Sequence, residues 1–187
     1  MFLIHPTRKG FIHIPRTAGR FIESQCRLLE GFESVRPHHT HIPENLLDYE
    51  WHTLVREPVE RVISIYRHSQ GGADMTRHKG TFDQFIDGVA TGFEWHTRPQ
   101  TDYINPQVKC WTDVSKCVKA LGGTVTGDPI NQSDYPKPTL TQEQVDVAEK
   151  IFLKKQNSIL DKINMHKPEN KKAPKLSLCL KNILEKM

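Results

Sequence analysis

Two arginines, one glycine and a run of small residues close the segment Phe11-Ile12-His13-Ile14-Pro15-Arg16-Thr17-Ala18-Gly19-Arg20. Guanidinium groups on a tight turn suit an anion, because each offers a rigid fork of N–H donors that stays charged at physiological pH. A second set of polar groups lies in Leu54-Val55-Arg56-Glu57-Pro58-Val59-Glu60-Arg61-Val62-Ile63-Ser64, where Arg56 and Ser64 can offer a forked cation and a hydroxyl to one phosphate. Between the two sets stand His38, His39 and His41. This histidine-rich turn admits three readings: a metal site, a solvated loop, or a proton acceptor, since neutral imidazole can take a proton from an alcohol near neutral pH. Tight ligand sets need partners on rigid elements, which a turn does not offer, and this argues against metal.

The elements that must position these groups follow from apolar spacing. Phe11 to Ile14 reads as a short buried strand, and past Gly19 the residues Ile22, Cys26 and Leu29 recur on one helical stripe, so the turn opens a helix. The first N–H groups and positive dipole end of that helix then face whatever the turn holds. The second segment repeats the pattern of strand, turn and helix. Pro58 suits the first helical position, and Val59, Val62, Ile63 and Tyr66 mark the buried face. Arg61, Ser64 and His68 are then expected on the opposite side.

The common nucleotide signatures are absent: neither G-x-x-x-x-G-K-[ST] nor G-x-G-x-x-G occurs, and Gly19 is the only glycine in the first turn. The segment Ile14 to Arg20 instead resembles the 5′-phosphosulfate loop of carbohydrate sulfotransferases, which reads roughly I-P-K-T-A-G-T. Val55 to Ser64 resembles their 3′-phosphate motif, V-R-[DE]-P-x-x-R-x-x-S. Together they resemble the branch that includes heparan sulfate 2-O-sulfotransferases, over roughly residues 8 to 165 and most closely in the first 70. That resemblance implies an α/β fold, a P-loop-like three-layer sandwich with a central parallel sheet flanked by helices. It also implies the donor 3′-phosphoadenosine 5′-phosphosulfate (PAPS) and no metal. The donor would be held by Arg16, Thr17, Ala18, Gly19, Arg20 and Phe21 at one end and by Arg56, Ser64 and Arg61 at the other. Open α/β sheets bind ligands at strand carboxyl ends, so both turns can face one crevice.

These enzymes carry a His-x-His element between their two donor motifs, with the second histidine as base. His39-Thr40-His41 occupies the matching place, which implies His41 as base and His39 as substrate contact or alternative base. Trp95 to Tyr103 resembles the H-x-x-P-Q-x-x-Y segment near the acceptor cleft, making His96, Arg98, Gln100 and Tyr103 acceptor-site candidates; simple surface packing is the other reading. The implied acceptor is a hydroxyl, most naturally on a glycan, with a small alcohol, a lipid or a tyrosine left open. Two departures stand out. Arg16 replaces the usual lysine and, unlike lysine, cannot give a proton to the leaving oxygen. Arg20 replaces a small hydroxyl residue.

With 187 residues, 36% apolar, 26% charged and a formal charge of +4, one α/β domain is expected, spanning residues 1–165. That charge suits an anionic ligand and is too small to argue for nucleic acid. Oligomeric state is open. No apolar run reaches the length of a membrane span and the N-terminal residues do not read as a signal peptide, so the chain as given reads as cytoplasmic. The four cysteines show no metal spacing and read as free thiols.

Further along, Thr81 to Gln84 and Thr141 to Gln144 read as capping boxes. The first opens a helix to about Ala90 with Phe82, Phe85, Ile86 and Val89 on its apolar face. The second opens the longest helix, with Val145, Ala148, Phe152, Ile159 and Ile163 on one stripe. Ser69 to Asp74 is expected as a turn, Asp113 to Leu121 as a helix ended by Gly122-Gly123, and Thr124 to Gly127 as a last strand. Residues 166–175 read as a polar linker and 176–187 as a docked helix or tail. Two rivals to the sulfotransferase reading are a nucleotide-dependent kinase, which lacks a Walker lysine here, and a non-catalytic module for phosphate or sulfate groups.

Overall fold

The computed structural model describes residues 1–35, 42–71, 80–90, 98–104, 107–127 and 137–150. These divide into two compact units, one drawn from residues 1–55 and 103–127 and the other from 56–102 and 137–150.

The first unit is built on one sheet. Its strands β1 (Phe2–Ile4), β2 (Lys9–Ile12), β3 (Phe32–Ser34), β4 (Glu50–Leu54) and β5 (Val108–Trp111) lie in the order β3-β1-β2-β4-β5. β2, β4 and β5 run parallel, with Ile12 beside Thr53 and Thr53 beside Cys110. β1 runs antiparallel to both β2 and β3. The molecule is thus α/β, but the sheet is mixed, which corrects the expectation of a parallel one. Only residues 5–8 join β1 to β2, as a 3-10 turn His5–Thr7 and a left-handed Arg8 with φ 49°. That link can close a hairpin but cannot make the crossover that parallel neighbours need.

α1 (Gly19–Cys26) and α4 (Val114–Leu121) pack with one face of this sheet. Phe2, Ile4, Phe11 and Leu54 from the strands meet Ile22 and Cys26 of α1 and Cys117, Val118 and Leu121 of α4. The alternate residues Leu3, Ile12, Trp51 and Thr53 are buried as well, so β1, β2 and β4 are covered on both faces. Gly10 lies beside Trp51 in register, and a Cβ there would come within 2.5 Å of the indole. Asp113 caps α4 by accepting from the Lys116 N–H at 2.9 Å, and Gly122 ends it with φ 97°, as the spacing predicts. Thr124 to Gly127 is not a strand: the Thr126 N–H donates to Gln25 Oε1 at 2.6 Å rather than to a neighbouring backbone. Cys26, Cys110 and Cys117 are free thiols.

The second unit is helical. α2 (Pro58–Gly71), α3 (Phe82–Ala90) and the helical residues 142–150, here α5, enclose a core of Val59, Val62, Ile63, Ile65, Phe82, Phe85, Ile86 and Ala148. Both capping boxes form: Thr81 and Gln84 exchange bonds of 2.9 and 3.3 Å, and Thr141 and Gln144 bonds of 3.0 and 3.2 Å. α2 starts at Pro58 as expected but continues through Ser69 and Gln70, so the predicted turn does not begin at Ser69. The Ser69 hydroxyl donates to the Tyr66 carbonyl at 2.7 Å and stays inside the helix. Val89's side chain, Phe152, Ile159, Ile163 and the segments 166–175 and 176–187 lie outside the described residues. Among the described residues, no helix is long and apolar enough to cross a membrane.

Candidate functional site

β2 delivers the chain to the first candidate turn. Ile14 is buried, and its carbonyl accepts from the Thr17 hydroxyl at 2.9 Å, which holds the turn closed from inside. Arg16 (φ 64°) and Ala18 (φ 62°) are both left-handed, with Thr17 between them at negative φ. Left-handed backbone costs a residue with a Cβ roughly 1–2 kcal/mol, and alternating handedness turns successive N–H groups into an anion-binding concavity. Strain of this kind gathers where a site needs it. α1 then begins at Gly19 with Ala18 as its N-cap, and no side chain caps it. The N-cap residue, an alanine, thus has no side chain of its own to stand where an anion would at that helix end.

Gly19 is required by a neighbour that spacing did not single out. A Cβ at this position would fall inside the His13 imidazole, so the ring lies directly against the first residue of α1. Arg16 is half-buried and Arg20 exposed. Phe21 is buried, so its backbone is the part that faces the turn's ligand in the sulfotransferase reading.

The second candidate segment is organised differently. Glu57 takes the end of α2 itself: its carboxylate accepts from the Val59 N–H at 2.8 Å and the Glu60 N–H at 2.7 Å. Those two N–H groups are therefore already taken by the protein's own carboxylate. The Arg56 guanidinium is half-exposed and 3.3 Å from Glu60, which also meets Lys137 at 2.6 Å. The Lys137 hydrogen bond, helped by Arg56, holds the Glu60 carboxyl below its ordinary range. Ser64 is half-buried, two turns along α2.

Arg61 corrects the sequence reading. It is 1% exposed, not on a solvated face, and its Nη1 donates to the Arg98 carbonyl at 2.9 Å. Pro58, Ile65 and Ser69 are buried too, and with Arg61 they form a second buried stripe at helical spacing. That stripe was masked by the polar character of two of its four members.

Among the acceptor candidates, Arg98 is exposed and Tyr103 half-buried. Gln100 is 2% exposed and bonded twice to Arg56: it accepts from the Arg56 N–H at 2.9 Å and donates to the Arg56 carbonyl at 2.7 Å. This use of the amide accords with packing, the other reading of the segment. His39, His41 and His96 lie outside the described residues. The structure thus groups Arg16 to Phe21 with His13 in the first unit, and Arg56, Arg61, Ser64, Arg98 and Gln100 in the second.

A further polar cluster sits within the first unit on β4 and β5. His52 is fully buried, with Nδ1 accepting from the Trp111 indole N–H at 3.0 Å and Nε2 2.8 Å from Glu50. The indole can only donate, so the proton of the neutral ring rests on Nε2, which is close to the Glu50 carboxylate but lacks the geometry of a hydrogen bond to it. Burial pushes the His52 pKa down to about 4 against the pull of Glu50, while a hydrogen bond from Lys109 lowers that of Glu50. Cys26 and Cys117 are pushed up to about 12 by burial and are poor nucleophiles.

Within the first unit, the carboxyl ends of β2 and β4 are neighbours. The chain leaves β2 through α1 toward β3 on one side, and leaves β4 toward β5 on the other. Such a point of divergence is where open α/β sheets leave a crevice for ligands. The turn after β2 carries Arg16, and Arg56 follows β4 by two residues. Comparisons of the chain with protein-family models, with curated proteins and with solved structures found no match.

Proposed function

We propose that the protein is a PAPS-dependent sulfotransferase, acting on an acceptor hydroxyl carried by a carbohydrate. The observation that carries this reading is the uncapped start of α1 behind a strained turn bearing Arg16, placed beside the end of a parallel strand that leads to Arg56. In this reading Arg16 and the N–H groups from Thr17 to Arg20 hold the 5′ end of the donor, and Arg56 with Ser64 takes its 3′-phosphate. Arg61, 1% exposed and bonded to the Arg98 carbonyl, is read here as supporting this segment from behind.

The transfer is an in-line displacement. The acceptor oxygen forms a bond to sulfur as the bond from sulfur to the bridging 5′-phosphate oxygen breaks, and the hydroxyl proton passes to a histidine, His41 or else His39. Charge grows on the departing phosphate, where Arg16 and the helix N–H groups stabilise it. Removing one such group from a charge-developing site costs about 2.7–4 kcal/mol of transition-state stabilisation, so Arg16→Ala should lower turnover roughly a hundredfold or more. Arginine stabilises charge but releases no proton here, so the leaving phosphate departs unprotonated.

Transfer of labelled sulfate from PAPS across a panel of glycans, alcohols and phenols tests the activity. Sulfation that disappears in His41→Ala and persists in His39→Ala supports the base assignment. Tight binding of 3′-phosphoadenosine 5′-phosphate (PAP) without transfer to any hydroxyl would turn the reading into a binding module, and preference for ATP with magnesium would turn it into a kinase.

A further inference from the structure

We infer that Gln100 is a positioning residue for the 3′-phosphate subsite: its buried amide clamps the backbone of Arg56 and so sets where that guanidinium points. The inference rests on the proposed sulfotransferase reading and goes beyond it, because neither the motif nor the chemistry of transfer assigns this residue a task at the donor.

Arg56 lies just past β4, at a place where the chain has left the sheet ladder and α2 has not begun. Its N–H and carbonyl would ordinarily be the loose ends of such a connection. Both are taken by one side chain 44 residues away, at 2.9 and 2.7 Å, in the way a neighbouring strand would take them. The orientation of the amide follows from chemistry, since the Arg56 N–H needs the oxygen and the Arg56 carbonyl needs the NH2. Gln100 is 2% exposed, so water does not replace either bond readily. The segment carrying Gln100 is itself fixed: the buried Arg61 donates to the carbonyl of Arg98, two residues before it. Arg61 and Gln100 thus form a strut from α2 to the Arg56 peptide. The guanidinium has a competing contact in Glu60, 3.3 Å away. A loosened Arg56 backbone would leave the side chain free to settle on that carboxylate instead of on a phosphate.

The test compares binding of PAP with that of adenosine 5′-monophosphate, which lacks the 3′-phosphate. Wild-type protein should prefer PAP, and Arg56→Ala should remove the preference. Gln100→Met keeps the length of the side chain and loses both bonds; it should cut the PAP preference about tenfold while leaving monophosphate affinity unchanged. Combined with Arg56→Ala it should cost nothing further, because both act through the same guanidinium. If circular dichroism shows that Gln100→Met fails to fold, Gln100→Glu keeps the acceptor, loses the donor and should shift the ratio in the same direction. A Gln100 variant with an intact preference, or with both affinities lowered equally, overturns the inference alone. Wild-type protein that does not distinguish the two ligands overturns the sulfotransferase reading and this inference with it.

Discussion

Gly19→Ala is the smallest change that disturbs the first turn, since the added methyl falls within the space of the His13 imidazole. Overpacking of this kind costs about 1–3 kcal/mol, to be read as a lowered midpoint in urea unfolding. Adding His13→Ala should restore much of that loss, and a double variant no more stable than Gly19→Ala would show that the ring is not the obstacle. His52 makes a prediction with a sign. Its pKa is about 4 in the folded protein against an ordinary value of 6.5, so between those values the unfolded chain binds a proton that the folded one does not. Stability should therefore fall as pH drops through 6.5 toward 4, by about 2 kcal/mol between pH 7 and pH 5 from this residue. The His52→Leu variant should show a shallower acid slope over that window; an unchanged slope would mean that the ring is not held neutral. His13 did not stand out in the sequence, and Gln100 stood out for an acceptor rather than for the Arg56 backbone, because nothing in the spacing of a chain shows which ring rests on which glycine, or which amide meets a backbone 44 positions away.

The elements were easier to read than the partnerships between them. Helix starts at Gly19, Pro58, Phe82 and residue 142 follow from apolar stripes and from caps written in a few consecutive residues, and local signals of that kind survive folding. β1 is hidden by its brevity: three apolar residues carry no period, and its antiparallel pairing depends on the turn that follows. β5 is hidden because only Val108 among its four residues is buried. The two candidate helix starts differ in a way that can be measured. α2 is capped by Glu57 through two N–H groups, so Glu57→Ala should destabilise the protein by about 0.5–2 kcal/mol in thermal or urea melts. A melt unchanged by that substitution would mean that the cap is not formed. The N-cap of α1 is Ala18, in left-handed backbone, and it makes no such side-chain bond.

At the scale of the whole molecule, the mixed sheet brings together the two strands that precede the candidate turns, and it does so at the point where the chain diverges to opposite sides. The α/β class was legible from alternating apolar strands and helices, whereas the antiparallel β1 needed the five-strand order to be seen. The net charge of +4 favours anionic ligands without identifying one, so the decision rests on how binding divides between the two arginines. Calorimetric titration of PAP into wild-type protein, Arg16→Ala and Arg56→Ala, without magnesium, measures this directly. The account predicts one site that prefers PAP to ATP with magnesium and loses about ten- to a hundredfold in affinity in each variant. Absence of PAP binding, or an affinity that either substitution leaves unchanged, would contradict it.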